Sequence, residues 1–380
     1  ARDREAAKKT RLHVRLSDVA GPGTRSCDLH LEPLVINGRS ISKELMDVRK
    51  SYFDGSRDLE TMDDLLVMNF IFTEKFIREH FSEDIVSELF PREDIPPLSE
   101  ADSQCVTTAV QLAKEKGAVE FERFAEERTY SDWKDPLGRL FYEWSSNYEM
   151  REDGSGRFTK MNTATYMHYY MSPILKAFFS GMGMAQCWGD SPELPKKYRR
   201  DFFLLRMFGG YRHLTMMVLK MTKRDVKERH RAKDERELFF SMKVSLDLLM
   251  KANVKDPEVV GLLVRGNVSS IDINVFIFFG VWTLTFTMIF RADSRIEFFT
   301  LRIQHEALYF PRLLGIMEIP RKYTDFDCLF EGLPVVLAAR SIVSRTLEAV
   351  KSCAPDEDPD LLILDDSEHP LCRPSFYIED

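Results

Sequence analysis

Turn-forming residues are scarce in this chain, which has 18 glycines and 17 prolines in 380 positions. Sandwich and barrel folds need a turn roughly every ten residues, so the scarcity argues against both. The six cysteines, at positions 27, 105, 187, 328, 353 and 372, show no spacing of a disulfide framework. The N-terminus also has no apolar core of a secretory signal. Both absences predict a reduced, non-secreted setting, either the cytoplasm or a virion. Long hydrophobic runs are limited to one, residues 273–290, which has no charge and is broken only by Asn274, Gly280 and three threonines. A membrane span needs roughly 20 mostly apolar residues. This run is closely flanked by Asp272 and Arg291 and has no second run to pair with, so no membrane partner is expected and a buried position is.

Signature motifs are missing as well. No glycine opens the G-x-x-x-x-G-K-[ST] loop that wraps phosphates, and Gly154-Ser-Gly156 and Gly181-Met-Gly183 are bare pairs that read as turns. No histidine is preceded three residues earlier by glutamate, so the Glu-x-x-His pairs of a di-iron bundle are absent; Asp366 and His369 come nearest, in the acidic tail. Asp63-Asp64 has no third acidic partner for a metal-diphosphate site and reads as helix-dipole capping. Cys27 with His30 and His369 with Cys372 are mirror-image pairs that zinc would have to bring together from opposite ends of the chain. Neither a G-x-S-x-G elbow nor a Cys/His pair in a recognisable local context is present. No cofactor, metal or catalytic residue is therefore expected, and the chain reads as non-enzymatic.

What the chain does have is bulk: 28 Phe and 17 Met within 44% hydrophobic content, enough for a large core of adaptable side chains. This composition predicts a mainly α, multi-helical, two-lobed protein. A minor β component is expected near the N-terminus, where Asn37-Gly38 has hairpin chemistry, and a second β candidate at 281–290, where apolar and polar residues alternate. The organisation expected is a basic arm at 1–16, an N-terminal lobe with a short hairpin and helices at 17–98, a main helical domain around the run 273–290 at 99–352, and an acidic tail at 353–380. Helices are expected at about 61–81 with Thr61 as cap, at 83–90, from the cap Ser99 to Lys116 and on to Arg128, through Trp133, Leu137, Leu140, Phe141 and Trp144, at 159–180, on either side of Gly209-Gly210, at 225–251, from Asp256-Pro257, at 293–309 and at 334–352.

Charge is segregated. Residues 1–16 carry six Lys/Arg against two acids (+4), residues 196–236 fourteen against five (+9), and residues 354–380 one against nine (-8). The central block mixes cations with aromatics, the pattern that phosphate contacts and base stacking require. Read as helices, it places Lys196, Lys197, Arg199, Arg200 and Arg206 on outer faces, then Arg212, Lys220, Lys223 and Arg224, with Tyr198 and Tyr211 as stacking surfaces. Asp225, Glu228, Asp234 and Glu235 offer i,i+4 partners to the later cations and weaken that half of the block. Arm, basic centre and acidic tail together predict a structural protein that self-assembles through its two ends and contacts RNA or another polyanion, in the manner of a viral capsid or nucleoprotein subunit. The tail, with apolar stretches at 361–364 and 376–378, is expected to dock on its own core or on a neighbour. The alternative is an intracellular helical enzyme or binding protein whose Phe/Met-rich core encloses an apolar ligand.

Overall fold

The computed structural model describes residues 33–57, 62–149, 167–188, 201–208, 212–222, 228–265, 270–271, 290–291, 295–305, 308–320 and 323–353. Within them the expectation of a mainly α protein is overturned: the centre is a seven-stranded mixed sheet, and the fold is α/β. Buried residues from Leu34 to Val350 form one contiguous cluster spanning both of the expected lobes.

The chain enters through strands β1 (Val35–Ile36) and β2 (Arg39–Ser40). They are joined by the expected Asn37-Gly38 turn, both of whose residues have positive φ (51° and 76°). Helix α1 (Ile41–Phe53) follows. The single helix expected at 61–81 is instead two, α2 (Met62–Met68) and α3 (Glu74–His80); Thr61 lies outside the described residues. The break has local causes. Phe70 sits at φ 61°, Asn69 Nδ2 donates to Leu65 O at 2.9 Å, and the buried Arg49 guanidinium lies 4.0 Å above the Phe70 ring while its Nε donates to Met68 O. Helices α4 (Glu83–Leu89), α5 (Glu100–Glu115), α6 (Ala118–Ser131) and α7 (Pro136–Glu149) match their sequence signals, except that Trp133 falls before α7. Ser99 Oγ accepts from Asp102 N, the cap its position promised. A π-helical turn (Met167–Met171) leads into α8 (Ser172–Phe179).

Strand β3 (Ala185–Trp188) begins the sheet, and β4 (Phe202–Phe208) and β5 (Arg212–Thr222) form an antiparallel hairpin where two helices were expected. Helix α9 (Glu228–Lys251) crosses over to β6 (Glu258–Arg265), parallel to β5. Asp256-Pro257 thus opens a strand rather than a helix, with Asp256 at φ 45°. Short strands β7 (Ser270–Ile271) and β8 (Phe290–Arg291) pair with each other. The rest of the apolar run, like the arm at 1–16 and the tail from 354, lies outside the described residues. Strand β9 (Arg295–His305) replaces the helix expected at 293–309; it lies antiparallel to β6 and turns back into β10 (Leu308–Tyr309) and β11 (Arg312–Glu318), both on its far side. A 3-10 stretch (Tyr323–Cys328) leads to the long helix α10 (Leu329–Cys353).

The sheet order is β10-β9-β6-β5-β4-β3, with β11 beside β10 on β9. Side chains alternate across a strand, so neighbouring residues report opposite faces. A Cβ on Gly261 would meet Met242 of α9, and the Phe299 ring beside it lies 5.1 Å from Phe239 of the same helix. A Cβ on Gly315, next to Phe298, would meet Val335 of α10. Helices α9 and α10 therefore cover the two faces, and β6 is buried on both.

Candidate functional site

The expected polyanion-binding residues divide three ways. Lys196, Lys197, Tyr198, Arg199, Arg200, Tyr211, Lys223 and Arg224 lie outside the described residues. Arg206 is on β4 and donates from Nη1 to Gly183 O at 2.9 Å, tying the strand to the turn before β3; Arg212 opens β5 opposite Phe208. Lys220, near the end of β5, is 2.6 Å from Glu237 of α9, with side chains only 13% and 8% exposed. Its charge is therefore balanced inside the fold. The residues that adjoin the two outlying basic clusters do come together: Asp201 N donates to Leu219 O, and Asp201 Oδ2 accepts from Met221 N at 2.7 Å. Residues 201 and 222 thus stand at one end of the β4–β5 hairpin, and residue 212 at the other.

In doubly wound sheets ligands bind beyond the carboxyl ends of parallel strands. Here that crevice, at the ends of β5 and β6, is occupied by ion pairs. Arg265 binds Glu235 of α9 at 2.8 Å and Glu297 of β9 at 2.7 Å, and Arg295 binds the other oxygen of Glu297 at 2.7 Å. Glu235 and Glu237 thus reach across the crossover to the strands. Burial pushes the neighbouring Asp234 carboxyl up from 3.8 to about 6, with Lys220 pulling it down and Glu237 pushing it up. An acid whose folded pKa is raised is most favourable when protonated in both states, and loses stability as pH climbs from the unfolded to the folded pKa. Asp234→Asn is therefore expected to stabilise the protein at pH 7 by at most about 2–3 kcal/mol, with the gain vanishing below pH ~4, as denaturant midpoints at the two pH values would show.

A cavity of about 810 Å3 opens between β1, α4, the end of α9, β6, β9 and α10. Leu34, Ile36, Leu89, Val254 and Ile303 supply apolar wall, and Lys255, Arg302 and Arg345 stand at the mouth. At its floor is Glu258, 7% exposed. Thr346 Oγ1 accepts from Glu258 N and donates to Glu258 O, and Arg345 Nη2 lies 3.2 Å from Glu258 Oε2. Oε1 is buried with no hydrogen-bond partner among the described residues. Burial pushes the Glu258 carboxyl up, with Glu93 adding to the rise and Arg302 and Arg345 opposing it. Beyond the floor, the buried Arg312 guanidinium donates twice to Leu89 O and is pulled down to about 10, by burial first and then by Arg302. The one sequence signal near this cavity, Asp256-Pro257, pointed to a helix start and not to a pocket.

Elsewhere the chemistry is structural. Asp63 pairs with Lys75 at 2.8 Å and Asp64 accepts from Tyr52 Oη. Lys243, fully buried on α9, binds Asp247 at 2.7 Å beneath the Tyr309 ring, and Tyr309 Oη donates to the same carboxylate. Among the described residues no group of three or more His, Cys, Asp or Glu is placed to hold a metal ion; Cys27, His30, His369 and Cys372 lie outside them. No described helix is long and apolar enough to cross a membrane. Comparison of the chain with protein-family models, with curated proteins and with solved structures gives no match.

Proposed function

We propose that this chain is a non-enzymatic structural subunit that self-assembles and contacts RNA or another polyanion, as a viral capsid or nucleoprotein subunit does. The observation that carries the assembly reading is the state of the sheet's two edges. Trp188 on β3 is 45% exposed, and Leu313 and Ile316 on β11 are 44% and 40% exposed. Among the described residues no further strand pairs with the outer edge of either. An apolar, unpaired edge strand is a template for another chain, and monomeric proteins normally blunt it with charge or proline. Two such edges on one sheet suit repeated head-to-tail contact, with the basic arm 1–16 as a further contact. The polyanion reading is supported by the meeting of residues 201 and 222, which adjoin the clusters 196–200 and 223–224.

The alternative of an enclosed apolar ligand gains nothing from the large cavity, because such a ligand would cover Glu258, Arg302 and Arg345 without giving them partners. Light scattering tests the assembly reading. The wild type is expected to form oligomers free of disulfides, and L313K/I316K to shift them toward monomers with unchanged circular dichroism. Neutralising Lys196, Lys197, Arg199 and Arg200 together is expected to flatten the salt dependence of single-stranded RNA binding, by roughly 0.7 in the log–log slope for each phosphate no longer neutralised. A monomeric wild type that carries no nucleic acid would overturn the proposal.

A further inference from the structure

We propose that the cavity above Glu258 is the docking site of this chain's own C-terminal segment, with residues 361–364 (Leu-Leu-Ile-Leu) seated in it. This goes beyond the assembly reading and does not depend on it.

The path of the chain leads there. Helix α10 ends at Cys353, whose Sγ donates to Asn253 O at 3.3 Å, and the five residues after Asn253 all line the cavity. Cys353, the last described residue, therefore stands beside the start of the stretch 254–258 that lines the cavity. Leu361 follows Cys353 by eight residues, a reach of up to about 26 Å when extended, which exceeds the breadth of a cavity of about 810 Å3.

The chemistry of segment and cavity also agrees. Four aliphatic residues match the walls formed by Leu34, Ile36, Leu89, Val254 and Ile303. Acids stand on both sides of the quartet, Asp356, Glu357, Asp358 and Asp360 before it and Asp365 and Asp366 after it, where they would meet Lys255, Arg302 and Arg345 at the mouth. Glu88 and Asp256 also stand at the mouth, so charge favours the tail only modestly, and the apolar quartet carries the selection. At the floor, Glu258 Oε1 is buried, with Thr300 beside the carboxyl, and is placed to accept a backbone N–H of an inserted segment. Residues 1–32 also adjoin the cavity, through Leu34, but their arm is basic and would face the same three cations.

The full-length chain carrying a benzophenone photo-crosslinker in place of Leu362 tests this. Irradiation is expected to join it to peptides holding residues 34–36, 254–258 or 303 of the same chain, at an intensity independent of protein concentration. Adding L361D and L364D to the tail is expected to lower that product by about tenfold or more, the loss set by two buried leucines, with the circular dichroism unchanged. In parallel it is expected to speed amide exchange at 254–258. Crosslinks confined to other surfaces, or formed only between differently labelled chains, would overturn the proposal. So would an absence of crosslinks with amide exchange unchanged by L361D/L364D.

Discussion

Asp247→Ala is expected to lower stability by about 3–5 kcal/mol, because it removes the counter-charge of an ammonium that the fold has enclosed. Lys243 lies inside the protein at 0% side-chain exposure, with its ammonium 2.7 Å from the Asp247 carboxylate one helical turn on. The Tyr309 ring lies 4.7 Å from the same ammonium. Without the carboxylate, the buried ammonium loses this counter-charge and Tyr309 Oη loses this acceptor. The backbone of Tyr309 is tied in turn to Phe70 and Phe72, so the loss should spread from α9 to the segment between α2 and α3. A native domain is stable by only about 5–15 kcal/mol, and the change should be plain in the urea midpoint. The control is Lys243→Met with Asp247→Leu, which removes both charges and is expected to recover most of the loss. A double variant as unstable as Asp247→Ala alone would show that packing, and not the lost counter-charge, sets the cost.

The reach of this triad also shows why parts of the fold were legible in the sequence and others were not. Asn37-Gly38 and Ser99 act within three or four residues of themselves, and both did as their chemistry predicts. Strands β4, β5 and β6 were misread because burial on both faces removes the alternation that identifies a strand, leaving short apolar runs that periodicity cannot separate from helix. Gly209-Gly210 then read as a break between helices, whereas β4 and β5 on either side of it pair as antiparallel strands. Strand β9 misled in another way. Glu297 is a charged residue held almost wholly inside, through Arg265 of the neighbouring strand and Arg295 of its own, so its charge did not mark a solvent face. Lys220 was counted among phosphate ligands for the converse reason, since its partner Glu237 arrives only when α9 folds back over β5. The cavity at Glu258 draws on residues from Leu34 to Thr346, a juxtaposition that no local pattern encodes.

Phe326→Ala is expected to cost about 3–5 kcal/mol, and to do so in one layer of the molecule. Phe326 belongs to the 3-10 stretch between β11 and α10 and is fully buried. Its ring centroid lies 5.1 Å from Phe121 of α6, and 6.0 and 5.8 Å from Phe141 and Trp144 of α7. One side chain thus joins two helices to the strand-to-helix connection. The neighbouring ion pair of Lys114 with Asp327 also bridges to α5, but both side chains are well exposed, and such pairs contribute at most about 1 kcal/mol. Truncation to Ala would leave a void ringed by aromatic edges that rigid helices cannot close, whereas Phe326→Leu should retain most of the packing. These rings belong to α6, α7 and the 3-10 stretch and not to the strands, so amide exchange should rise most in α5, α6 and α7 while β5, β6 and β9 keep more of their protection. Trp144 fluorescence offers a second readout at the same site, and uniform loss of protection across helices and sheet would instead mean that the aromatic layer and the sheet unfold as one unit.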